Sequence, residues 1–391
     1  MGFVVIPHST SPYFEVYDES TLLKAVDFSL KPGANPAGSA ANAAAISPNG
    51  AFVAVGHSLS PYVSVYDTAT WDRVTLSGGN PTGSVNALHF SPDGALMAVA
   101  HATAPFVTVY NTATWAKVTL TGGGLAGTGR SCEFSPSGNH LAVSSTTSPF
   151  LTVYATSDWS KVSLPLAPSA NTPAVAWTSS GALIVTDGNQ IRVYNPADWT
   201  SDLRPTTPLS FPPQRLAVTP DGTRVICGDF INYTHPLVNI SDGSIVAYSN
   251  AAPSGVTGYG FIDGGAYCLF VSTSSPYLFR LDMNTLTFSG VAGSTYLANR
   301  RMPAVGGQAL TFLATSGVNP VRDQGGNAVS GVEVRAHRRS SGLLFGTTTT
   351  AADGSYTLGP FMLDHGEAQV LFLDPTGDPL YNDLVVRAFP A

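Results

Sequence analysis

Three histidines share one place in a repeating pattern: His8, His57 and His101 each stand four residues before a proline, Pro12, Pro61 and Pro105. Imidazole is a common metal ligand, so a shared metal site is the chemistry to weigh first. Ligation needs donor nitrogens about 2 Å from one ion, and equivalent atoms of separate repeats stand much farther apart. The next equivalents are Ser145 and Ser272, which do not replace the ligand. No metal is expected, and each histidine should hydrogen bond to the turn beside it.

Other reactive constellations are missing or incomplete. Gly56-His57-Ser58-Leu59-Ser60 begins like a G-x-S-x-G nucleophile elbow but lacks the final glycine and precedes a strand rather than a helix. Ser91-Pro92-Asp93-Gly94 and its counterparts lack the S-x-D-x-G-x-x-W spacing of sialidase Asp boxes. Asp229, Asp263 and Asp282 are scattered carboxylates that spacing alone does not pair for glycoside hydrolysis. G-x-x-x-x-G-K-S/T and H-E-x-x-H are absent. The expectation is therefore a protein with no catalytic residues and no cofactor, not an enzyme. Cys132, Cys227 and Cys268 are odd in number and lack CxxC spacing; buried free thiols are expected, with a long-range disulfide as the alternative.

The element that must position these residues is a repeat. Ala51 to Gly94 is nearly restated from Ala95 onward, and Trp71 recurs as Trp115, 44 residues later. Ala51 to His57, Tyr62 to Tyr66, Trp71 to Leu76 and Val85 to Phe90 read as four short strands. Four strands in about 44 residues is the period of a propeller blade. Six turns mark successive blades: Ser47 to Gly50, Ser91 to Gly94, Ser135 to Gly138, Thr178 to Gly181, Thr219 to Gly222 and Ile262 to Gly265. Phe3 to Ile6, Tyr13 to Asp18 and Ala25 to Leu30 supply strands of one more. Seven blades follow if a strand near Tyr296 to Val305 returns to the N-terminal one; otherwise six or eight remain open. The expected fold is all-β, a propeller over residues 1–308 and a small β-sandwich over 309–391.

The totals agree with short strands and tight turns. Charged residues are 11% of the chain, hydrophobic ones 43%, with 39 Gly and 29 Pro. A net charge of -7 with 18 Lys+Arg offers no basic footprint for nucleic acid. The N-terminus lacks a signal-peptide pattern, Ile6 breaks the myristoylation motif, and no stretch approaches the roughly 20 apolar residues of a membrane span. Folding in a cytosol, without membrane insertion, is expected.

Val65-Tyr66-Asp67, Val109-Tyr110-Asn111, Val153-Tyr154 and Val193-Tyr194-Asn195 stand where WD40 repeats often carry Trp-Asp. The chain thereby resembles the WD40-like β-propeller family over about Met1 to Gly307. Tyr replaces the Trp and the Gly-His dipeptide is absent from its usual place, so that family's Asp-His-Ser/Thr-Trp network does not carry over. After Gln308, Gly325 to Ala336 and the Asp353-Gly354-Ser355-Tyr356 hairpin resemble the carboxypeptidase-regulatory-like module, a sandwich of the transthyretin or immunoglobulin type. Leu371 to Pro375 and Leu380 to Arg387 resemble the C-termini of tailed-phage virion proteins. These resemblances imply a structural or adhesion component of a virion, in the tail, baseplate or neck. Its expected partners are other virion proteins and a host-surface glycan or protein, met in multiple symmetric copies. The alternatives are a glycan-binding or glycan-degrading propeller and a bacterial intracellular scaffold.

The candidate contact rim is Tyr13, Tyr62, Phe106, Phe150 and Tyr277, each following a loop proline. Aromatic side chains are favoured at interface cores, while wedging between neighbouring blades is the structural alternative and is preferred. Trp71, Trp115, Trp159 and Trp199 are expected to pack on the outer strands, with carbohydrate stacking as the alternative.

Overall fold

The computed structural model describes residues 3–7, 13–18, 24–26, 40–169, 174–205, 209–228, 235–253, 256–262, 266–272 and 278–290, and the strand segments 304–306, 310–315, 333–338, 344–349, 357–363, 368–373 and 386–388. Regular structure among them is strand throughout, without helix. The chain lays down its sheets in order. β1 (Phe3–Pro7), β2 (Phe14–Asp18) and β3 (Lys24–Val26) belong to the first, and β4 (Ala41–Ile46), β5 (Phe52–His57), β6 (Val63–Asp67) and β7 (Arg73–Val74) form the second. β8 (Val85–Phe90), β9 (Leu96–His101) and β10 (Val107–Asn111) follow, then β11 (Gly129–Phe134), β12 (His140–Ser145) and β13 (Leu151–Ala155). The fifth sheet is β14 (Val175–Trp177), β15 (Leu183–Asp187), β16 (Gln190–Tyr194) and β17 (Ser201–Arg204). The sixth is β18 (Arg215–Val218), β19 (Arg224–Gly228), β20 (Leu237–Asn239) and β21 (Ile245–Val246). β22 (Val256–Ile262), β23 (Tyr267–Ser272), β24 (Leu278–Asp282) and β25 (Thr287–Gly290) complete the run.

Six blades are thus built from consecutive strands, and the remaining sheet draws on both ends of the chain. β26 (Ala304–Gly306) pairs antiparallel with β1, Phe3 opposite Gly306 and Val5 opposite Ala304. The closing strand lies at the far end of the expected window, of which 296–303 lies outside the described residues. The innermost strands touch in a closed circle, β4 to β8, β11, β14, β18, β22, β26 and back to β4. Closure removes the two open sheet faces that a gap would leave to solvent.

Each blade packs on the next through apolar faces. Phe14 of the first blade meets Tyr66 of the second with ring centroids 5.3 Å apart, and Phe52 meets Trp115 of the third edge to face at 5.1 Å. The repeated tyrosines are fully buried. Their phenol hydroxyls donate to carbonyls of the connection between blades, Tyr110 to Gly79 at 2.8 Å, Tyr154 to Gly123 at 2.8 Å and Tyr194 to Leu166 at 2.7 Å. That requirement of a buried hydroxyl explains why Tyr occupies the place of Trp: its polar end has a partner.

The expected third strand, Trp71 to Leu76, is mostly turn, because only Arg73–Val74 pairs. Trp71, Trp115, Trp159 and Trp199 adopt φ of 60°, 57°, 60° and 59°, and each N–H returns to the carbonyl four residues earlier, as Trp71 does to Asp67 at 2.6 Å. The blades that follow put Gly243 and Leu286 at this left-handed position. The tryptophan rings pack between blades rather than on outer strands, Trp71, Trp115 and Trp159 being buried. Burial of the rings against the neighbouring blade offsets the left-handed backbone, which costs about 1–2 kcal/mol for a side-chain-bearing residue.

Past Gly306, β27 (Leu310–Thr315), β28 (Glu333–Arg338), β29 (Leu344–Thr349), β30 (Thr357–Leu363), β31 (Ala368–Leu373) and β32 (Val386–Ala388) pair as β27 with β30 and as β29-β28-β31-β32. The chain divides into Phe3–Gly306 and a unit of Met1–Gly2 with Gly307–Ala391. The Asn327 turn and the Asp353 hairpin tip lie outside the described residues.

Neighbouring blades are also latched by backbone. Gly78 N–H donates to Trp115 O and Gly122 N–H to Trp159 O, both at 2.9 Å, and Ser77 Oγ donates to Thr114 O at 2.7 Å. A Cβ on Gly78 would stand 2.5 Å from the Lys117 backbone nitrogen. Gly78→Ala should therefore lower unfolding free energy by about 1–3 kcal/mol, measured by denaturant titration. Ser77→Ala, which removes one exposed hydrogen bond, should cost no more than about 1 kcal/mol; equal losses would contradict the steric latch.

Candidate functional site

Two places gather side chains that could do something beyond building blades: the loops on one face of the disc and the channel between the innermost strands. The loops join β5 to β6, β9 to β10 and β12 to β13. Each contains a cis proline, Pro61, Pro105 or Pro149, followed by an aromatic residue at positive φ: Tyr62 at 63°, Phe106 at 68° and Phe150 at 64°. Tyr13 has the same backbone at 71°. One pair of hydrogen bonds fixes each loop, as where His57 N–H donates to Tyr62 O at 2.6 Å and Tyr62 N–H to Leu59 O at 2.9 Å.

Tyr13, Tyr62, Phe106 and Phe150 are half-buried. The first three pack against the core shared with the next blade, the wedge arrangement. Exposure falls instead on their neighbours, among them Leu59, Thr103, Ala104, Thr147 and Ser148. Tyr277 lies outside the described residues.

The histidine positions are internal. His57 is fully buried with Nε2 3.2 Å from Ser64 Oγ, and His101 with Nε2 2.9 Å from Thr108 Oγ1, so each contacts the adjacent strand of its own blade. Burial pushes the His101 imidazole down to about 4. Ser145 Oγ donates to Thr147 O at 2.9 Å, and His8 lies outside the described residues. In the fifth blade the same place is Asp187, whose Oδ2 pairs with Arg192 Nη2 at 2.7 Å and Nε at 2.8 Å, both residues buried. Ser169 adds its N–H and hydroxyl to Asp187 Oδ1. One blade position thus hosts a His–hydroxyl contact or an ion pair, depending on its cross-strand neighbour. Among the described residues no three His, Cys, Asp or Glu side chains group as metal ligands. Cys132, Cys227 and Cys268 are free and buried, and burial pushes the Cys132 thiol up to about 12.

The channel was not anticipated from the sequence. Strands β4, β8, β11, β14 and β18 line a cavity of about 170 Å³. Three of them carry a bulge at one register, at Asn42, Asn86 and Arg130. A bulge leaves one residue out of the ladder and re-aims its side chain. Asn42 Nδ2 donates to Val85 O at 3.0 Å and Asn86 Nδ2 to Gly129 O at 2.7 Å, each reaching the next blade. Arg215 of β18 lines the same mouth.

Deeper, a second level of polar side chains stitches blades together. His89 Nδ1 accepts the Phe134 N–H at 3.2 Å, and Glu133 Oε1 accepts the Trp177 N–H at 3.2 Å. Trp177 Nε1–H donates to the Glu133 carbonyl at 3.1 Å. An accepting Nδ1 requires the neutral ring with its proton on Nε2, and burial holds His89 at about 4. Burial pushes the Glu133 carboxyl up to about 8. A neutral imidazole and a protonated carboxylic acid on one channel wall have the protonation states that proton transfer uses. The available sequence signal was the period: residues 42, 86 and 130, and likewise 89 and 133, are 44 apart on strands otherwise rich in apolar residues.

No protein-family profile matches the chain, and no curated protein is similar to it. Solved structures share the fold. A chain of the hydrazine synthase of Kuenenia stuttgartiensis superposes with a TM-score of 0.57 at 18% identity, covering 71% of this chain and 90% of that one. A functionally unknown protein from Desulfotomaculum acetoxidans DSM 771 gives 0.60 at 13% identity, covering 79% and 100%. At these identities the likeness carries the fold alone. It does correct the expectation that the chain is not an enzyme: a propeller of this shape occurs in an enzyme, so missing local motifs do not exclude catalysis.

Two measurements probe the site's electrostatics. Asp187→Asn leaves Arg192 buried with half of its ion pair and should destabilise the chain by about 3–5 kcal/mol in urea unfolding, whereas Asp187→Leu combined with Arg192→Met should recover much of the loss. The Glu133 carboxyl, ordinarily at 4.5, is raised on folding to about 8. The folded chain then retains a proton that the unfolded chain releases, so this stabilisation is full below about pH 4.5 and is lost as pH rises through about 8. Glu133→Gln should gain stability over the parent across that interval; parallel stability profiles would sink the assignment.

Proposed function

We propose that this chain is a docking component of a tailed-phage particle, set in the tail, baseplate or neck and present in multiple symmetric copies. The observation that carries docking is the loop face. Ser58–Tyr62, Ala102–Phe106 and Thr146–Phe150 place exposed side chains, Leu59, Thr103 and Thr147 among them, over a half-buried aromatic at one register in three consecutive blades. Their backbones are fixed before contact, so association loses little loop entropy. With few charges on the chain as a whole, contact is by shape and apolar burial, aided by Tyr62, Phe106 and Phe150 at the loop bases.

The placement in a virion rests on the residues after Gly306. The Asn327 to Val332 and Asp353 to Tyr356 motifs support a carboxypeptidase-regulatory-like β-sandwich, and Leu380 to Arg387 supports a virion C-terminal domain. Other virion proteins are the first partners, a host-surface protein or glycan the second. The polar channel with Glu133 and His89 favours one alternative, a propeller that binds or degrades glycans.

Mass spectrometry of purified particles should find this chain in stoichiometric amount; its presence in infected-cell cytosol but never in particles overturns the proposal. Glu at Leu59, Thr103 and Thr147 together should keep the unfolding midpoint within about 2 °C while lowering incorporation about tenfold through unpaired interfacial charge. Glycan-array binding or depolymerisation without particle association would favour the alternative.

A further inference from the structure

We infer that the cavity at the outer edge of the third blade binds a small monocarboxylate with an apolar body, such as an arylalkyl carboxylate. The inference does not depend on virion docking, because it rests on where one outer segment leaves its blade.

The third blade has three strands, β8, β9 and β10. The segment that follows β10 touches it only near Tyr110, which bridges to Lys117, and Val118 N–H donates to Val109 O at 2.8 Å. In the fifth blade β17 continues past the equivalent pair, Tyr194 with Ser201, as far as Ile191 with Arg204. Val107 stands where Ile191 does, three residues before the tyrosine. Backbone polar groups alternate sides along a strand, so Val107 turns its N–H and C=O to the same outer side as Val109, with no fourth strand beside them. A cavity of about 260 Å³ lies there.

The chemistry of the lining selects the ligand. Pro105, Val107, Val118 and Leu120 give it an apolar wall. Its two hydroxyls are already engaged, Thr108 Oγ1 with His101 Nε2 at 2.9 Å and Thr82 Oγ1 with Ala104 O at 2.8 Å. Among the described residues lining the cavity, Lys117 is the one charged side chain, and it is exposed. An ammonium has three donor hydrogens, and Asn80 O accepts one from Lys117 at 2.9 Å. A single cation beside an apolar wall matches a single carboxylate on an apolar body. An apolar cavity of about 150 Å³ takes benzene, so about 260 Å³ accommodates a ring, a short linker and the carboxylate. The walls are held before a ligand arrives: Leu125 N–H donates to Pro105 O at 3.1 Å, and Lys161 Nζ donates at 2.8 Å to the carbonyl of Gly124, which also lines the cavity. Binding therefore orders little backbone.

Titration of the full chain with hydrocinnamate at low ionic strength, followed by calorimetry and ligand-observed nuclear magnetic resonance, tests the site. Hydrocinnamate should bind saturably, one to one, and raised salt should weaken it. Hydrocinnamyl alcohol, which lacks the charge, and acetate, which lacks the apolar body, should each bind at least about fivefold more weakly. Lys117→Met keeps the apolar stem and should lower affinity for hydrocinnamate about fivefold or more, with the unfolding midpoint unchanged because Lys117 is exposed. Arg73, paired with Tyr66, holds the same place in the second blade, so Arg73→Met should bind like the parent. No saturable binding of hydrocinnamate, equal affinity for the alcohol, parental affinity in Lys117→Met, or an equal loss in Arg73→Met overturns the inference.

Discussion

Three residue pairings between the two ends of the propeller, Phe3 with Gly306, Val4 with Val305 and Val5 with Ala304, are the constraint on which the rest depends. A blade has two apolar faces and cannot bury both alone. Only a closed circle gives every face a partner, and here the chain joins β26 to the N-terminal sheet to close it. Ring assembly is therefore cooperative: the core between the first and second blades, with Phe14 and Tyr66 in contact, requires the N-terminal sheet to be in place.

Closure also creates the polar interior. The innermost strands would present unpaired N–H and C=O groups to a narrow channel, where an unsatisfied polar group is costly. Side chains answer that need in a stepwise pattern, each from one blade to the next: Asn42 to Val85, Asn86 to Gly129, His89 from Phe134 and Glu133 from Trp177. The residues with functional potential are thus also those that lace blades together. Burial lowers the pKa of His89 and raises that of Glu133, and Arg130 and Arg215 line the same cavity.

The disc therefore separates its jobs by position. Its loop face is preformed, with aromatic wedges beneath exposed residues such as Leu59, Thr103 and Thr147, and suits contact with a large surface. Its axis is polar, with Asn42, Asn86, Arg130 and Arg215 around it. The fold shared with a chain of an enzyme assigns no role to either position.

Much of the architecture was written locally. The 44-residue period, the Pro and Gly of turns such as Ser91–Gly94, the alternation around Val-Tyr and the need for a returning strand were sufficient for an all-β propeller, because strand and turn preferences act over a few residues. Trp71 misled on its strand, since a left-handed φ at a bulky residue is tolerated only by packing against another blade. The candidate site was much less legible. Tyr62 and its equivalents could be aligned, but whether the rings wedge inward or face solvent depended on the neighbouring sheet. Asn42, Asn86, Arg130 and Arg215 look like isolated polar residues in apolar strands, and nothing local distinguishes them from a solvated face. What the sequence by itself determined was the blade and its repetition; what only the tertiary structure decided was which residues meet at the axis, because residues separated by 44 or more positions converge only when the ring closes.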